Sequence, residues 1–461
     1  MTTRASRIPS PSLSLVLLVI LFGTLWLGGG ASMADTLGQV LVRSVGWGVL
    51  FLAVLFGPRP RLTEAKPVLF LILAAITLVL FHLVPLPPSI WQALPGRTLI
   101  MEAAIASAQP QPWRPLAIIP GAAVNAAGSL VVPLATYVLL VSLREEDKRW
   151  IPALMLALIV ASTLVGLLQF SGASFDNIFV NDTLGDVSGT FANRNHFALL
   201  IAMGCALVPT WALLDGRASS WRAPAALGLT ILLALTILSS GSRAGLALGA
   251  IAMVCGLLTV RKGIRRLLLR YPRWFFPALM VGIVALVAIF ILISVTADRA
   301  IAIDRLIAMD PGRDMRSRGL PVVVQMIGKY FPVGSGLGGF DPLFRINEPF
   351  ALLKPTYFNH AHNDWLEVIL DAGLPGAVLL AAAVIWWAKA SINAWHNHAG
   401  GSAMLPRVGS IWIGLVFAAS IFDYPARTPM VMAVIVIAAW WLHSEAHKDA
   451  TSALPDEDQH L

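Results

Sequence analysis

Apolar runs of bilayer length recur along the whole chain, separated by polar connections. Twelve stand out: 13–30, 39–57, 67–86, 126–143, 151–170, 196–214, 223–240, 244–260, 275–296, 372–388, 408–422 and 428–443. A helix needs about 20 apolar residues to cross the hydrocarbon core, so each run predicts one transmembrane helix. A lone strand in lipid could not satisfy its own backbone N–H and C=O groups. The pattern predicts an all-α, polytopic membrane protein of about twelve transmembrane helices. The first run follows Arg4 and Arg7 and ends near Ala31-Ser32-Met33-Ala34, as a signal peptide would. With eleven more runs behind it, it reads as an uncleaved first helix.

Composition agrees. The chain is 57% hydrophobic and 13% charged, against roughly a quarter charged in soluble domains. Cys205 and Cys255 both fall inside predicted spans, so no disulfide framework exists. With the N-terminus inside, the inward segments hold nineteen Lys and Arg and the short outward loops five. Cytoplasmic segments carry the excess of basic residues, so both termini are expected in the cytoplasm. The loops at 87–125, 171–195 and 297–363 then face outward. The net charge of +8 reflects this topology. It points to membrane lipids as surroundings and not to nucleic acid.

The outward face carries nearly all the unusual polar sequence. Loop 87–125 is rich in Pro and Trp, with Trp113-Arg114-Pro115 inside it, and is expected at the headgroup level. Loop 171–195 leads into SGTFANRNHFA (188–198), and SGSRAG (240–245) puts Arg243 at a helix mouth. The long loop 297–363 holds Arg316 and Arg318 and the run Gly334-Ser335-Gly336-Leu337-Gly338-Gly339, and it ends in HAHNDWLE (360–367). Ionisable groups at a bilayer edge are costly unless function holds them there. Histidine is also the side chain best able to accept a proton near neutral pH.

Several readings of these residues fall away. The glycine run spells a dinucleotide fingerprint, but that site needs a preceding strand, a following helix and a cytosolic cofactor. A turn with positive φ, or a close approach to a ligand, is the simpler account. His360 and His362 lack a clear third ligand for zinc, so neither a metal nor another cofactor is expected. An arginine at a helix mouth is commonly a snorkelling anchor. Arg243, however, shares its face with Arg194, Arg316, Arg318 and the histidines. Guanidiniums around one cleft suit a diphosphate, which they bind bidentately.

Taken in order, SGTFANRNHFA, SGSRAG, the arginine segment leading to FPVGSGLGGF (331–340), and HAHNDWLE followed by DAGLPG (371–376) resemble the O-antigen ligase and polymerase superfamily of bacterial envelopes. The resemblance implies a GT-C-like fold and metal-independent, inverting transfer of a glycan from undecaprenyl diphosphate. The acceptor would be lipid A-core, in a ligase, or a growing glycan, in a polymerase. It places the catalytic histidine on His362 and the diphosphate-binding arginines on Arg243 and Arg316. Leu320 stands where the family often has tryptophan, so Arg318 stays a candidate beside Arg316, with Arg194 near them.

On a helix beginning near 362, Asp364 and Glu367 would lie about a turn from His362 and could orient its ring. His360, His362 and Glu367 are thus the catalytic candidates. Three regions are expected: N-terminal helices at 1–170, a catalytic region at 171–376, and C-terminal helices with a cytoplasmic tail at 377–461. A transporter or flippase is the competing class. It would place its polar residues near the bilayer midplane in repeated halves, and no such repeat is visible.

Overall fold

The computed structural model describes residues 10–173, 177–180, 185–214, 221–269, 315–353, 358–396 and 403–444, with isolated positions between 272 and 292. The apolar helices are α1 (Leu13–Gly28), α2 (Leu37–Phe56), α3 (Lys66–His82), α4 (Pro120–Ser129), α5 (Val131–Val141), α6 (Ile151–Ser171), α7 (Arg194–Leu213), α8 (Arg222–Ser239) and α9 (Arg243–Thr259). A basic helix α10 (Arg261–Leu268) follows, and then α11 (Met315–Tyr330), α12 (Phe340–Asn347), α13 (Asp364–His396), α14 (Met404–Ala419) and α15 (Pro429–Ser444). Eleven of the twelve apolar runs coincide with helices; the run at 275–296 lies largely outside the described residues. Six helical segments are long and apolar enough to cross a membrane, and five shorter apolar helices pack with them.

Helix α7 is the centre of the bundle. Its apolar window is 83% buried, against 28% for α2, α8 and α13, whose apolar residues face outward. In water such outward apolar faces would be a liability, but in lipid they are the expected solvent-facing surface. Helix α7 packs on α9, α8, α14 and α6, while α1 packs on α2 and α5. Leu18, Leu21 and Phe22 of α1 are fully buried, so the first helix is a core element.

Three helix starts at one end of the bundle are capped by short polar side chains, which accept from otherwise orphaned N–H groups. Asn193 accepts from Asn195 N at the head of α7, and Ser242 accepts from Gly245 N at the head of α9. Asn363 accepts from Leu366 N at the head of α13. These caps lie in the three motif segments and set where their side chains point.

The long loop is more structured than a connection. Its described part folds α11 and α12 into a small layer with its own apolar core, including Val323, Met326, Tyr330, Phe340, Phe344 and Phe358. Loop 87–125 is also folded. Residues Pro85 and Leu86 (β1) pair with Pro115 and Arg114 (β2) in an antiparallel ladder. Trp91 is buried, whereas Trp113 is 65% exposed. The buried Arg97 guanidinium donates to the carbonyls of Leu116 (2.8 Å) and Gly334 (3.1 Å), which fastens this loop to the glycine run.

Helix α13 is two helices joined at Gly373, whose φ of 58° lies in the left-handed region. Only glycine takes that conformation cheaply, and a Cβ there would also meet the Pro332 carbonyl. Pro375 follows and cannot donate the hydrogen bond that would straighten the chain. The first half, from Asp364 to Ala372, carries the acidic residues of the site, and the second half is the apolar span.

Candidate active site

Asp423 lies in the short turn between α14 and α15 and is almost fully buried. One of its oxygens, Oδ2, accepts from Asn193 Nδ2 (3.0 Å), Asn195 Nδ2 (2.7 Å) and Arg316 (3.3 Å). The other, Oδ1, faces His362 Nδ1 at 3.1 Å and accepts from Tyr424 N at 3.1 Å. His196 Nε2 stands 3.7 Å from the same oxygen, too far for a hydrogen bond. Burial by itself would raise the Asp423 carboxyl. The imidazoles of His196 and His362, with Arg316 beside them, outweigh burial and hold it well below the usual carboxylate range. Asp423 is therefore a fixed negative charge beside His362.

His362 has φ of 49°, a conformation that costs a non-glycine residue energy and is found disproportionately at functional sites. Helix α13 begins at Asp364, two residues after His362. This corrects the expectation that Asp364 and Glu367 orient the His362 ring. The left-handed turn points that ring to Asp423, and the two acids engage other partners. Phe358 and Tyr424 flank the ring at centroid distances of 5.1 and 4.9 Å. Burial pushes the imidazole below its ordinary value, against the opposite pull of Asp423. A carboxylate on Nδ1 makes that nitrogen the protonated one, leaving Nε2 with a free lone pair. Nε2 has no hydrogen-bond partner among the described residues.

His360 is held differently. Its Nδ1 lies 2.8 Å from Glu367 Oε1, and its Nε2 lies 3.2 Å from Ser32 Oγ. Both ring nitrogens are engaged, so His360 is locked where His362 is free to act. Glu367 is fully buried, and its second oxygen accepts from Ala361 N at 2.7 Å. Behind it sits Arg427, with Asp364 and Glu367 each at 3.1 Å and Asp371 at 3.6 Å. Burial alone would lower the Arg427 guanidinium, but these carboxylates raise it. Asp371 also accepts from Gly338 N at 3.2 Å, so Asp371 ties the glycine run to α13. Gly334, Gly336 and Gly338 all have positive φ, as a tight polar turn requires.

The four arginines separate. Arg316 reaches Asp423. Arg318 donates to the Ala351 carbonyl at 2.9 Å, and Arg194 pairs with Asp186 at 3.1 Å. Arg243 is exposed at the first position of α9 and has no ion-pair partner among the described residues. Its neighbour Ser242 donates to Asn195 Oδ1 at 2.8 Å. A chain of hydrogen bonds therefore runs from SGSRAG through Asn195 to Asp423 and His362. It joins three motifs that are far apart in sequence.

Residues 228–381 match the family model described as O-antigen ligase. This segment is similar to O-antigen ligase domains. The match supports the superfamily of O-antigen ligases and polymerases, and with it ligase- or polymerase-type function in a multi-pass bacterial membrane protein. A search of curated proteins finds no match. The matched segment contains Arg243, Arg316, Arg318, His360, His362 and Glu367. Arg194, the two asparagines, Asp423 and Arg427 lie outside the matched segment, yet all but Arg194 bond directly into the site.

Sequence reasoning missed Asp423, Tyr424 and Arg427, and passed over Asn193 and Asn195 inside a motif it had quoted. A signal was present in Asp423-Tyr424-Pro425-Ala426-Arg427, an ionisable cluster squeezed between two apolar runs. It meets the same criterion of charge at a membrane edge that singled out HAHNDWLE. Beside His360 opens a cavity of about 660 Å³, whose polar lining includes Ser32, His360, Asn359 and Arg427. Apolar residues of α3, α13 and α15, including Leu71, Leu78, Leu379 and Ile435, line much of the rest, with Asn125 and Ser129 of α4. Among the described residues, no group of three or more His, Cys, Asp and Glu is arranged to hold a metal ion.

Proposed function

We propose that the protein is a metal-independent, inverting glycosyltransferase acting at the periplasmic face of the inner membrane. It moves a glycan from undecaprenyl diphosphate to lipid A-core, as an O-antigen ligase. The observation that carries this reading is the His362–Asp423 pair, in which a buried carboxylate fixes the tautomer and leaves Nε2 free. A weakly nucleophilic hydroxyl needs such a base. His362 Nε2 takes the proton of the acceptor hydroxyl as its oxygen bonds to the anomeric carbon. The bond from that carbon to the phosphate oxygen breaks, and the diphosphate leaves with the electron pair. Attack opposite the leaving group inverts the anomeric configuration.

The departing charge is the main electrostatic task. Arg243 is available for it, because it is exposed and has no ion-pair partner among the described residues. Arg316, which reaches Asp423 Oδ2, is the second cation of this reading. The apolar cavity below His360 suits the polyprenyl chain of the donor, since such pockets bury apolar ligands behind a few polar groups. These features support a donor that is lipid at one end and diphosphate at the other.

Deletion in the native host, followed by gel analysis of lipopolysaccharide, tests the assignment. Loss of long-chain attachment, with polymer retained on its carrier, is the expected result. A single repeat attached to core would make the protein a polymerase instead. Unchanged lipopolysaccharide with impaired export of another glycan would favour a transporter.

A further inference from the structure

Ser32 follows α1 and lies 328 positions from His360 in sequence, yet the two side chains are 3.2 Å apart. Ser32 is in none of the motifs that carry the resemblance and lies far outside the matched segment 228–381. It lines the polar end of the cavity together with His360, Asn359 and Arg427. Behind His360, the fully buried Glu367 holds Nδ1 at 2.8 Å. The result is an ordered line from Glu367 through His360 to Ser32, ending at the cavity mouth.

The chemistry of that line is constrained. A carboxylate at Nδ1 only accepts, so Nδ1 carries a proton in either charge state of the ring. When the imidazole is neutral, Nε2 accepts and the Ser32 hydroxyl donates to it. When the ring is charged, Nε2–H donates to Ser32 Oγ, and the serine proton turns to whatever lies in the cavity. An anion at the mouth selects the second arrangement, because imidazolium and a released O–H both favour it. The surroundings restrict where that anion sits. Asp341 also lines the cavity but is held by Arg345 at 2.8 Å, and Asp35 lines it as well. Arg427 is occupied by three carboxylates. Ser32, oriented by His360, is thus a donor placed for an anion there.

We propose that Ser32 contacts the substrate: its hydroxyl, oriented by His360 and Glu367, hydrogen-bonds a phosphate oxygen of the lipid diphosphate whose chain occupies the cavity. This rests on the reading of the donor given above and extends its diphosphate site to a residue of the first loop. The two histidines then divide the work. His362 serves the acceptor hydroxyl, and His360 serves the leaving diphosphate through Ser32.

The test measures binding of undecaprenyl diphosphate and of undecaprenol, which lacks the phosphates, to the full-length protein in detergent. Replacing Ser32 by alanine removes one hydrogen bond to a charged group, worth about 1.5–3 kcal/mol, or roughly tenfold or more in affinity. Ser32→Ala should weaken undecaprenyl diphosphate by that factor and leave undecaprenol unchanged. Ser32→Thr, which keeps the hydroxyl, should restore binding. Equal affinity of Ser32→Ala and wild type for the diphosphate would overturn the proposal. So would an equal loss for undecaprenol, which would mean that the cavity itself had changed. If wild type binds neither lipid, the donor reading itself is wrong.

Discussion

His362 Nδ1 and Asp423 Oδ1 lie 3.1 Å apart although 61 positions separate them in sequence. Asp423 fixes one tautomer of His362 and leaves the other nitrogen for a substrate. It also collects Asn193, Asn195 and Arg316 on its second oxygen, so one carboxylate organises residues from three other segments.

Asp423→Asn should keep the packing but lose the fixed tautomer, because an amide can offer its N–H to Nδ1. A drop in turnover of at least about 10²-fold is expected for a base orphaned from its carboxylate. Steady-state rates with a lipid-linked donor measure it. Near-normal turnover would show that the pair is not catalytic.

His362→Ala should lose about 10²–10⁴-fold in rate at neutral pH, the usual contribution of a general base. His360→Ala should lose less, because its nitrogens are both committed to Glu367 and Ser32. Chelators should leave wild type active. Initial rates of both purified variants, with and without EDTA, compare the two histidines. A larger loss at His360, or inhibition by EDTA reversed by a divalent ion, would reassign the base or the mechanism.

The pH profile follows from the same pair. A base works neutral, so activity is present above the His362 pKa and lost as pH falls through it. Burial lowers that pKa from 6.5, so the acidic fall in kcat/KM should lie below 6.5. Asp423 raises it and Arg316 lowers it. The residual activity of Asp423→Asn should therefore fall off at still lower pH, and that of Arg316→Gln at higher pH. Shifts in the opposite directions would exclude His362 as the titrating group.

Arg243→Ala should abolish transfer or nearly so, on the scale of about 10²–10³-fold for one lost charge-stabilising donor. Arg243→Lys should recover little, since lysine lacks the bidentate fork. Neither change should lower protein level, because Arg243 is exposed and supports no ion pair among the described residues. Full activity in the alanine variant would make it a membrane anchor only.

Arg427→Met should act on stability. It would leave Asp364, Glu367 and Asp371 buried without their cation, and breaking a buried pair commonly costs about 3–5 kcal/mol. A lower melting temperature in detergent, or loss of folded protein, is the expected outcome. A variant as stable as wild type would mean that these acids are neutralised in another way.

The sequence by itself determined the class of this protein and the segments that carry its chemistry. Apolar runs of bilayer length admit helices and little else, since lipid offers no partner for a bare backbone. Charge at the membrane edge singled out HAHNDWLE and SGSRAG on the same grounds of cost. Tertiary structure decided which residues act together. Glu367 is five residues from His362 but serves His360, because the chain turns left-handed at His362 and α13 starts only at Asp364. Asp423, Asn195 and Arg316 meet at one carboxylate only because α7, α11 and the turn between α14 and α15 converge. Periodicity describes one helix at a time. A pairing between helices depends on how their ends pack, and no local pattern records it.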